Sequence, residues 1–330
     1  MPHKNPYLSI VIPVYNEQEN LEELYRRLTT ALDKLGKTYE IILTNDGSAD
    51  RSSEILKELH NRRPSQIRVI EFNGNFGQHM AIMAGFERVR GEIIITMDAD
   101  LQNPPEDIHK LVTAMEAGHD VVNTYREGRQ DNWWRLFVSN LHNKIRAKMM
   151  PKLKMKDEGC MLRAYSRNIV DLMASTGETT TFIPALALNY ASNPTEVGVA
   201  HEQRFAGTSN YNLYKLIRHN FDLVTGFSVF PLQVFTMIGM LISFLSFSFV
   251  MVLIVRRLIV GPEVEGVFTL FAIMFFLLGI VLLGLGVTGE YIGRIYQEVR
   301  QRPRFVIKKI LEQDQSASKV QNSSVVIEEV

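Results

Sequence analysis

A chain of 330 residues has room for two or three domains and a full hydrophobic core. Its 36 Lys and Arg balance 36 Asp and Glu, so bulk charge argues for no nucleic-acid partner. A single cysteine, Cys160, excludes an internal disulfide framework and any multi-cysteine zinc cage, in keeping with a reducing compartment.

Residues 1–5 carry neither an apolar signal core nor an arginine-rich transit pattern, so the N-terminal region is expected in the cytosol. Residues 8–14 and 40–44 read as short, fully buried strands. Between them Leu21, Leu24, Leu28, Ala31, Leu32 and Leu35 recur at helical spacing. Asp50 is placed to cap a second helix through Ile55, Leu56 and Leu59. A strand over 68–72, a helix over 78–89 and a strand over 92–97 follow. Asn103 is the expected cap of a further helix, with Pro104 at its first position and Glu106 and Asp107 in its first turn. Residues 121–124 form one more strand. Strands alternating with helices over short connections predict an α/β domain, a mostly parallel sheet with helices on both faces.

The second part of the chain has a different composition. No charge occurs from 223 to 255 or from 267 to 289, and each run exceeds the ~20 residues a helix needs to cross a bilayer. The connector 256–266 contains Gly261-Pro262 and is too short for a domain, so a two-helix membrane hairpin is expected. Arg294, Arg300, Arg302, Arg304, Lys308 and Lys309 follow the second run, against Arg256 and Arg257 in the connector. The larger basic cluster stays inside, which puts both termini in the cytosol. Around the hairpin, Tyr211, Leu213, Tyr214, Leu216 and Ile217 with Lys215, Arg218 and His219 pattern as an interfacial amphipathic helix. The expected division is a catalytic domain at 1–209, an interfacial helix at 210–228 and two membrane helices within 229–289 (about 230–255 and 267–289). A basic juxtamembrane segment at 290–312 and a disordered tail at 313–330 complete it. Gly284-Leu285-Gly286-Val287-Thr288-Gly289 matches a dinucleotide fingerprint but ends an apolar run instead of opening a βαβ helix. With Gly293, these small residues are read as helix-packing positions.

Ligands of open parallel sheets bind beyond the carboxyl ends of the strands. Asn16-Glu17, Asp46 and Asp98-Ala99-Asp100 each follow an expected strand at that end. An isolated Asp-x-Asp is most often a solvated acidic turn; three acidic sites on one edge are not. Asp98 and Asp100, one residue apart on an extended segment, project to the same side and can share a hard divalent cation, with the Gln102 amide oxygen near.

Pro13-Val14-Tyr15-Asn16-Glu17, Asn45-Asp46-Gly47-Ser48 and Asp98-Ala99-Asp100-Leu101-Gln102, in this order, resemble family 2 glycosyltransferases of the GT-A fold. Asn75-Phe76-Gly77-Gln78-His79, Gly159-Cys160-Met161-Leu162-Arg163 and Gly289-Glu290-Tyr291-Ile292-Gly293-Arg294 extend the resemblance to the polyprenyl-phosphate glycosyltransferases, relatives of the dolichol-phosphate mannose synthases. The resemblance covers about residues 7–308 and implies specific roles. Pro13, Tyr15 and Glu17 would line the nucleotide pocket and Asp46 would read the uracil edge. Asp98, Asp100 and Gln102 would hold Mg²⁺ or Mn²⁺ on the diphosphate of a UDP-sugar. Arg126, Arg135 and Arg204 would bind the acceptor phosphate, with Arg204 on a closing loop, and Asp157 would be a base or an acceptor-side ligand. Asp100, Asp157 and Arg204 are thus the catalytic candidates. The implied reaction carries 4-deoxy-4-formamido-L-arabinose from UDP to undecaprenyl phosphate at the cytosolic face of the inner membrane. Glucose or another hexose is the alternative sugar, and the resemblance further implies a homotetramer.

Two positions depart from the family pattern: Asn45 replaces the first of two aspartates, and Asn210 stands where the closing loop has lysine. A phosphate monoester, with its second pKa near ~6, is mostly dianionic at neutral pH and needs alignment more than a strong base. Asp157 therefore ranks as an orienting group first, and direct attack opposite the leaving UDP predicts inversion at the anomeric carbon. A processive polysaccharide synthase would carry a Gln-x-x-Arg-Trp segment and more spans, neither of which is found here. A non-catalytic scaffold would tolerate loss of the two aspartates, which are both present.

Overall fold

The computed structural model describes residues 5–126, 155–157, 159–176, 182–202, 230–260, 267–300 and 303–313. The chain divides into two compact units, one from Met1–Asn210 with Arg302–Val330 and one from Tyr211–Gln301.

The first unit is built on an eight-stranded sheet. Its strands are β1 (Leu8–Val14), β2 (Tyr39–Asn45), β3 (Ile67–Phe72), β4 (Ile93–Thr96), β5 (Val121–Arg126), β6 (Arg163–Ser166), β7 (Pro194–Val199) and β8 (Ile307–Leu311), in the order β7-β5-β6-β4-β1-β2-β3-β8. The pairs β4-β1, β1-β2, β2-β3 and β5-β7 are parallel; β6 runs antiparallel to both β4 and β5, and β8 antiparallel to β3. The sheet is thus mostly parallel, as the composition of β1, β2 and β4 dictates: side chains buried on both faces leave no polar alternation. Helices α1 (Leu21–Leu35), α2 (Ser52–Arg62), α3 (Gln78–Phe86), α4 (Ile108–Glu116), α5 (Arg167–Ser175) and α6 (Ile183–Tyr190) accompany it. Helix α1 lays Leu21, Leu24, Leu28 and Leu32 into the core, matching its apolar period. In contrast, α3 is buried from Met80 to Phe86, and Gly85 lets it sit against β1: a Cβ there would lie 2.4 Å from a Val11 methyl.

Three sequence expectations change. Asn103 does not cap a helix: the chain makes a 3₁₀ turn over Pro105–Asp107 before α4, and the buried Asn103 side chain accepts the Cys160 thiol at 3.3 Å. The helix expected over 78–89 ends at Phe86. The span 290–312 is not one basic segment, because the second long helix runs on to Val299 and Ile307–Leu311 joins the sheet. Its last part was hidden because Lys308 and Lys309 point outward on an edge strand while Ile307 and, just before the strand, Phe305 are buried. Phe305 stacks on Phe72 at 5.0 Å between centroids, and Arg68, itself paired with the buried Glu40, holds Glu312 at 2.9 Å. The expected interfacial helix at 210–228 lies outside the described residues.

The second unit contains α7 (Phe230–Val260) and α8 (Val267–Val299). Their most apolar windows, Leu232–Phe249 and Ile273–Gly293, have mean hydropathies of 1.8 and 2.1 and are long enough to cross a membrane. Only 0% and 6% of these windows is buried, which is the opposite of a soluble two-helix core. The two helices meet where Gly284 faces Phe235, so closely that a Cβ would fall 2.1 Å from the ring.

Candidate active site

Direction of travel through the sheet gathers the candidate residues. The parallel strands β1, β2, β3 and β4 end at one edge, and so does β5, because two antiparallel steps through β6 restore its direction. The loop that enters β6 and the segment that leaves β7 belong to the same edge. Pro13 to Glu17, Asp46, Asp98 to Gln102, Arg126 and Asp157 therefore all lie along one edge of the sheet. Arg135 and Arg204 lie outside the described residues.

Tyr15 is 49% exposed, placing a free aromatic face beside the end of β1, while Pro13 and Glu17 are half-buried. Asn16 adopts φ 55°, and its side chain accepts the Ala49 N–H while its own N–H bonds Ser48. Glu17 receives the Asn20 amide and donates its backbone N–H to Ser52. These bonds tie the two loops after β1 and β2 into one wall.

Asp46 is almost fully buried, and its two carboxylate oxygens accept the backbone N–H groups of Phe76 at 2.6 Å and Gly77 at 2.9 Å. Burial pushes its carboxyl pKa up, against the two N–H groups, which lower it. This side chain, which the resemblance assigns to the uracil edge, thus also holds the loop between β3 and α3. Gly47, directly after it, has φ +67° and packs on Gly74, which is why no side chain fits there.

Asp98 is half-buried at the end of β4, and its Oδ1 accepts the Gln78 side-chain amide at 2.6 Å. Asp100 is 8% exposed, and its Oδ1 accepts the Gln102 N–H at 3.1 Å. Between them and Gln102 the backbone turns through Leu101 at φ 62°. A buried leucine in the left-handed region is strained by roughly 1–3 kcal/mol, and such residues gather at functional sites. The Gln102 carbonyl accepts the Glu202 N–H at 2.9 Å, and Glu202 with Glu106 is gripped by Arg27 at 2.9 and 2.8 Å. Among the described residues no group of three or more His, Cys, Asp or Glu side chains is placed to hold a metal ion. Two carboxylates with an amide form a hard-oxygen donor set that fits Mg²⁺ or Mn²⁺ completed by phosphate oxygens, not an all-protein cage.

At the other end of the edge, Arg126 donates Nε to Asp157 Oδ2 at 2.6 Å and Nη2 to Oδ1 at 2.9 Å, a bidentate pair. Asp157 is 9% exposed, and burial alone would raise its pKa; the Arg126 hydrogen bond and charge, with the Gly159 N–H, bring it below the usual carboxylate value. The loop carrying it is propped from beneath by the fully buried Arg163, which donates to the Cys160 and Asp157 carbonyls and to Asn123. Sequence reasoning missed Arg27, Arg163 and Gln78. Gln78 and Arg163 stood in quoted motifs with no role assigned, and Arg27 acts through Glu106 and Glu202, 79 and 175 positions away.

A mostly parallel sheet between helices, with Asp98 and Asp100 at its carboxyl edge, is the architecture of a glycosyltransferase of the GT-A fold. The chain belongs to glycosyl transferase family 2, whose model matches residues 9–172, and it is a glycosyltransferase. It is 47% identical, over 94% of its length and 95% of the relative's, to the undecaprenyl-phosphate 4-deoxy-4-formamido-L-arabinose transferase of Edwardsiella ictaluri (strain 93-146). Among solved structures, glucosyl-3-phosphoglycerate synthase from Mycobacterium tuberculosis is similar at TM-score 0.48 and 17% identity, over 67% of this chain and 78% of that one.

Proposed function

We propose that this protein transfers 4-deoxy-4-formamido-L-arabinose from UDP to undecaprenyl phosphate at the cytosolic face of the inner membrane, making a lipid-linked sugar for modification of the envelope. The carrying observation is the 47% identity to the Edwardsiella transferase over 94% of this chain. Asp98, Asp100 and Gln102 would hold a divalent cation, Mg²⁺ or Mn²⁺. When bound it supplies Lewis-acid stabilisation of the charge that develops on the departing diphosphate.

The chain's own groups do the rest. Tyr15, Pro13 and Glu17 flank the nucleotide, and the loop that Asp46 holds closes the same wall. Arg126, with Arg135 and Arg204, receives the acceptor phosphate. The pairing with Asp157 fixes the guanidinium plane and tempers its charge, so that it aligns the phosphate without quenching its nucleophilicity. Asp157, ionised and already engaged by Arg126, is poorly suited to take a proton and serves as an orienting group. The acceptor phosphate oxygen bonds to the anomeric carbon as UDP leaves from the opposite face, with no covalent glycosyl-enzyme, so the sugar inverts. The α7–α8 hairpin keeps the acceptor's polyprenyl chain in lipid, and a homotetramer is the proposed assembly.

The test is product formation by the full chain in lipid nanodiscs containing undecaprenyl phosphate, with Mg²⁺ or Mn²⁺, a panel of UDP-sugars and Asp100→Ala as control. Selective, metal-dependent transfer of the formamido sugar with inversion supports the reading. Transfer of glucose in its place corrects the sugar, and a retained anomeric configuration overturns the mechanism.

A further inference from the structure

The loop between β3 and α3 connects two parts of the site that the reaction uses separately. At one end, Asp46 fixes the Phe76 and Gly77 amides. At the other, the next residue, Gln78, donates its side-chain amide to Asp98 Oδ1 at 2.6 Å across 20 positions of sequence. We propose that Gln78 is a positioning residue for Asp98, holding its carboxylate in the orientation in which it takes the divalent cation. This rests on the reading of Asp98 and Asp100 as cation ligands.

Three features support it. The first is polarity: an ionised carboxylate only accepts hydrogen bonds, so the Gln78 amide must present its NH₂ and not its oxygen to Asp98. The second is rigidity. Gln78 opens α3, the chain enters it through Gly77 at φ +95°, and the Met80 and Ala81 N–H groups bond back to the Gly77 carbonyl. Behind that turn α3 is buried against β1 at Gly85, so the amide is carried by a fixed arm, while Asp98 stands on a loop. The third is charge. A lysine or arginine in this place would orient Asp98 equally well but would compete with the cation for it; a neutral amide orients the ligand and leaves its charge available.

The experiment titrates Mn²⁺ into the full-length protein with bound UDP by calorimetry, corrected with a UDP-only blank. Hydrogen-bonded partners of metal ligands typically account for about 10- to 100-fold in metal affinity. Gln78→Ala is therefore expected to weaken Mn²⁺ binding by about that factor. Metal-free UDP affinity should stay unchanged, and so should the thermal midpoint, because Gln78 is exposed and fills no core space. In an Asp98→Ala background the same substitution should add nothing. Wild-type Mn²⁺ affinity in Gln78→Ala, alongside weakened binding in Asp98→Ala, overturns this inference alone. So does a loss that simply adds to that of Asp98→Ala. Unchanged affinity in both Asp98→Ala and Asp100→Ala removes the cation reading itself, and the role of Gln78 with it.

Discussion

Replacing Asp157 with asparagine tests the division of labour at the acceptor end. The substitution keeps the shape of the side chain but turns one acceptor oxygen into a donor that faces the Arg126 fork. Of the two bonds now at 2.6 and 2.9 Å, only one survives, and the guanidinium loses its counter-charge. Breaking a fully buried ion pair costs about 3–5 kcal/mol. Arg126 is 21% exposed and water can reach it, so about 2 kcal/mol is a fair expectation here. If that loss falls on acceptor alignment, kcat/KM for undecaprenyl phosphate drops by about thirtyfold. The acidic limb of its pH profile, set near pH ~6 by the acceptor's second ionisation, stays where it is. The assay is initial rate against pH for the wild type and Asp157→Asn. A drop beyond about a thousandfold together with loss of the acidic limb would mean that Asp157 is a general base after all. Stability gives an independent reading. Because the folded-state pKa of Asp157 is lowered, the pair stabilises fully above its unfolded pKa of about 4 and is lost as pH falls through the folded value. The gap in thermal midpoint between the two proteins should therefore close with acidification.

Other expectations follow from close approaches. Gly47→Ala forces a Cβ to within 2.5 Å of the Gly74 backbone at φ +67°, costing at least ~2 kcal/mol and disordering the loop that Asp46 holds, so UDP affinity falls; unchanged binding by calorimetry would refute it. Gly284→Ile pushes α8 off Phe235 and lowers the thermal midpoint in detergent, and adding Phe235→Ala restores part of it. No recovery in the double variant would show that the two residues are not packed together. Ile307→Ala, at a position with no exposure on β8, costs ~2–5 kcal/mol and loosens the sheet although the residue lies beyond the hairpin; equal protease resistance of the two proteins would count against it.

Much of this was legible because the strong signals are local. β1, β2 and β4 are short apolar runs, α1 has a clean helical period, and the acidic residues follow strand ends, so the carboxyl edge could be drawn from sequence alone. The two long helices announce themselves by charge-free length. What escaped depends on contacts between distant positions. β6, with Arg163-Ala-Tyr-Ser, has no strand pattern of its own; it exists because β4 and β5 offer edges on either side. Asn103 looked like a cap, and only the tertiary position of Cys160 draws its side chain inward. Nor does anything nearby in sequence reveal that two amides 30 and 31 positions later reach Asp46.

Strand β8 also sets a timetable. The ribosome makes β3 early, yet its partner arrives only after both long apolar helices have been synthesised, at some 5–20 residues per second. Throughout that interval β3 presents a bare row of backbone donors and acceptors, the kind of edge on which chains aggregate. The sheet is completed only when Phe305 and Ile307 reach Phe72 and β3. A chain that stops short of β8 leaves that edge of β3 unpaired. The last strand thus makes closure of the sheet a late event, dependent on residues made after both long helices.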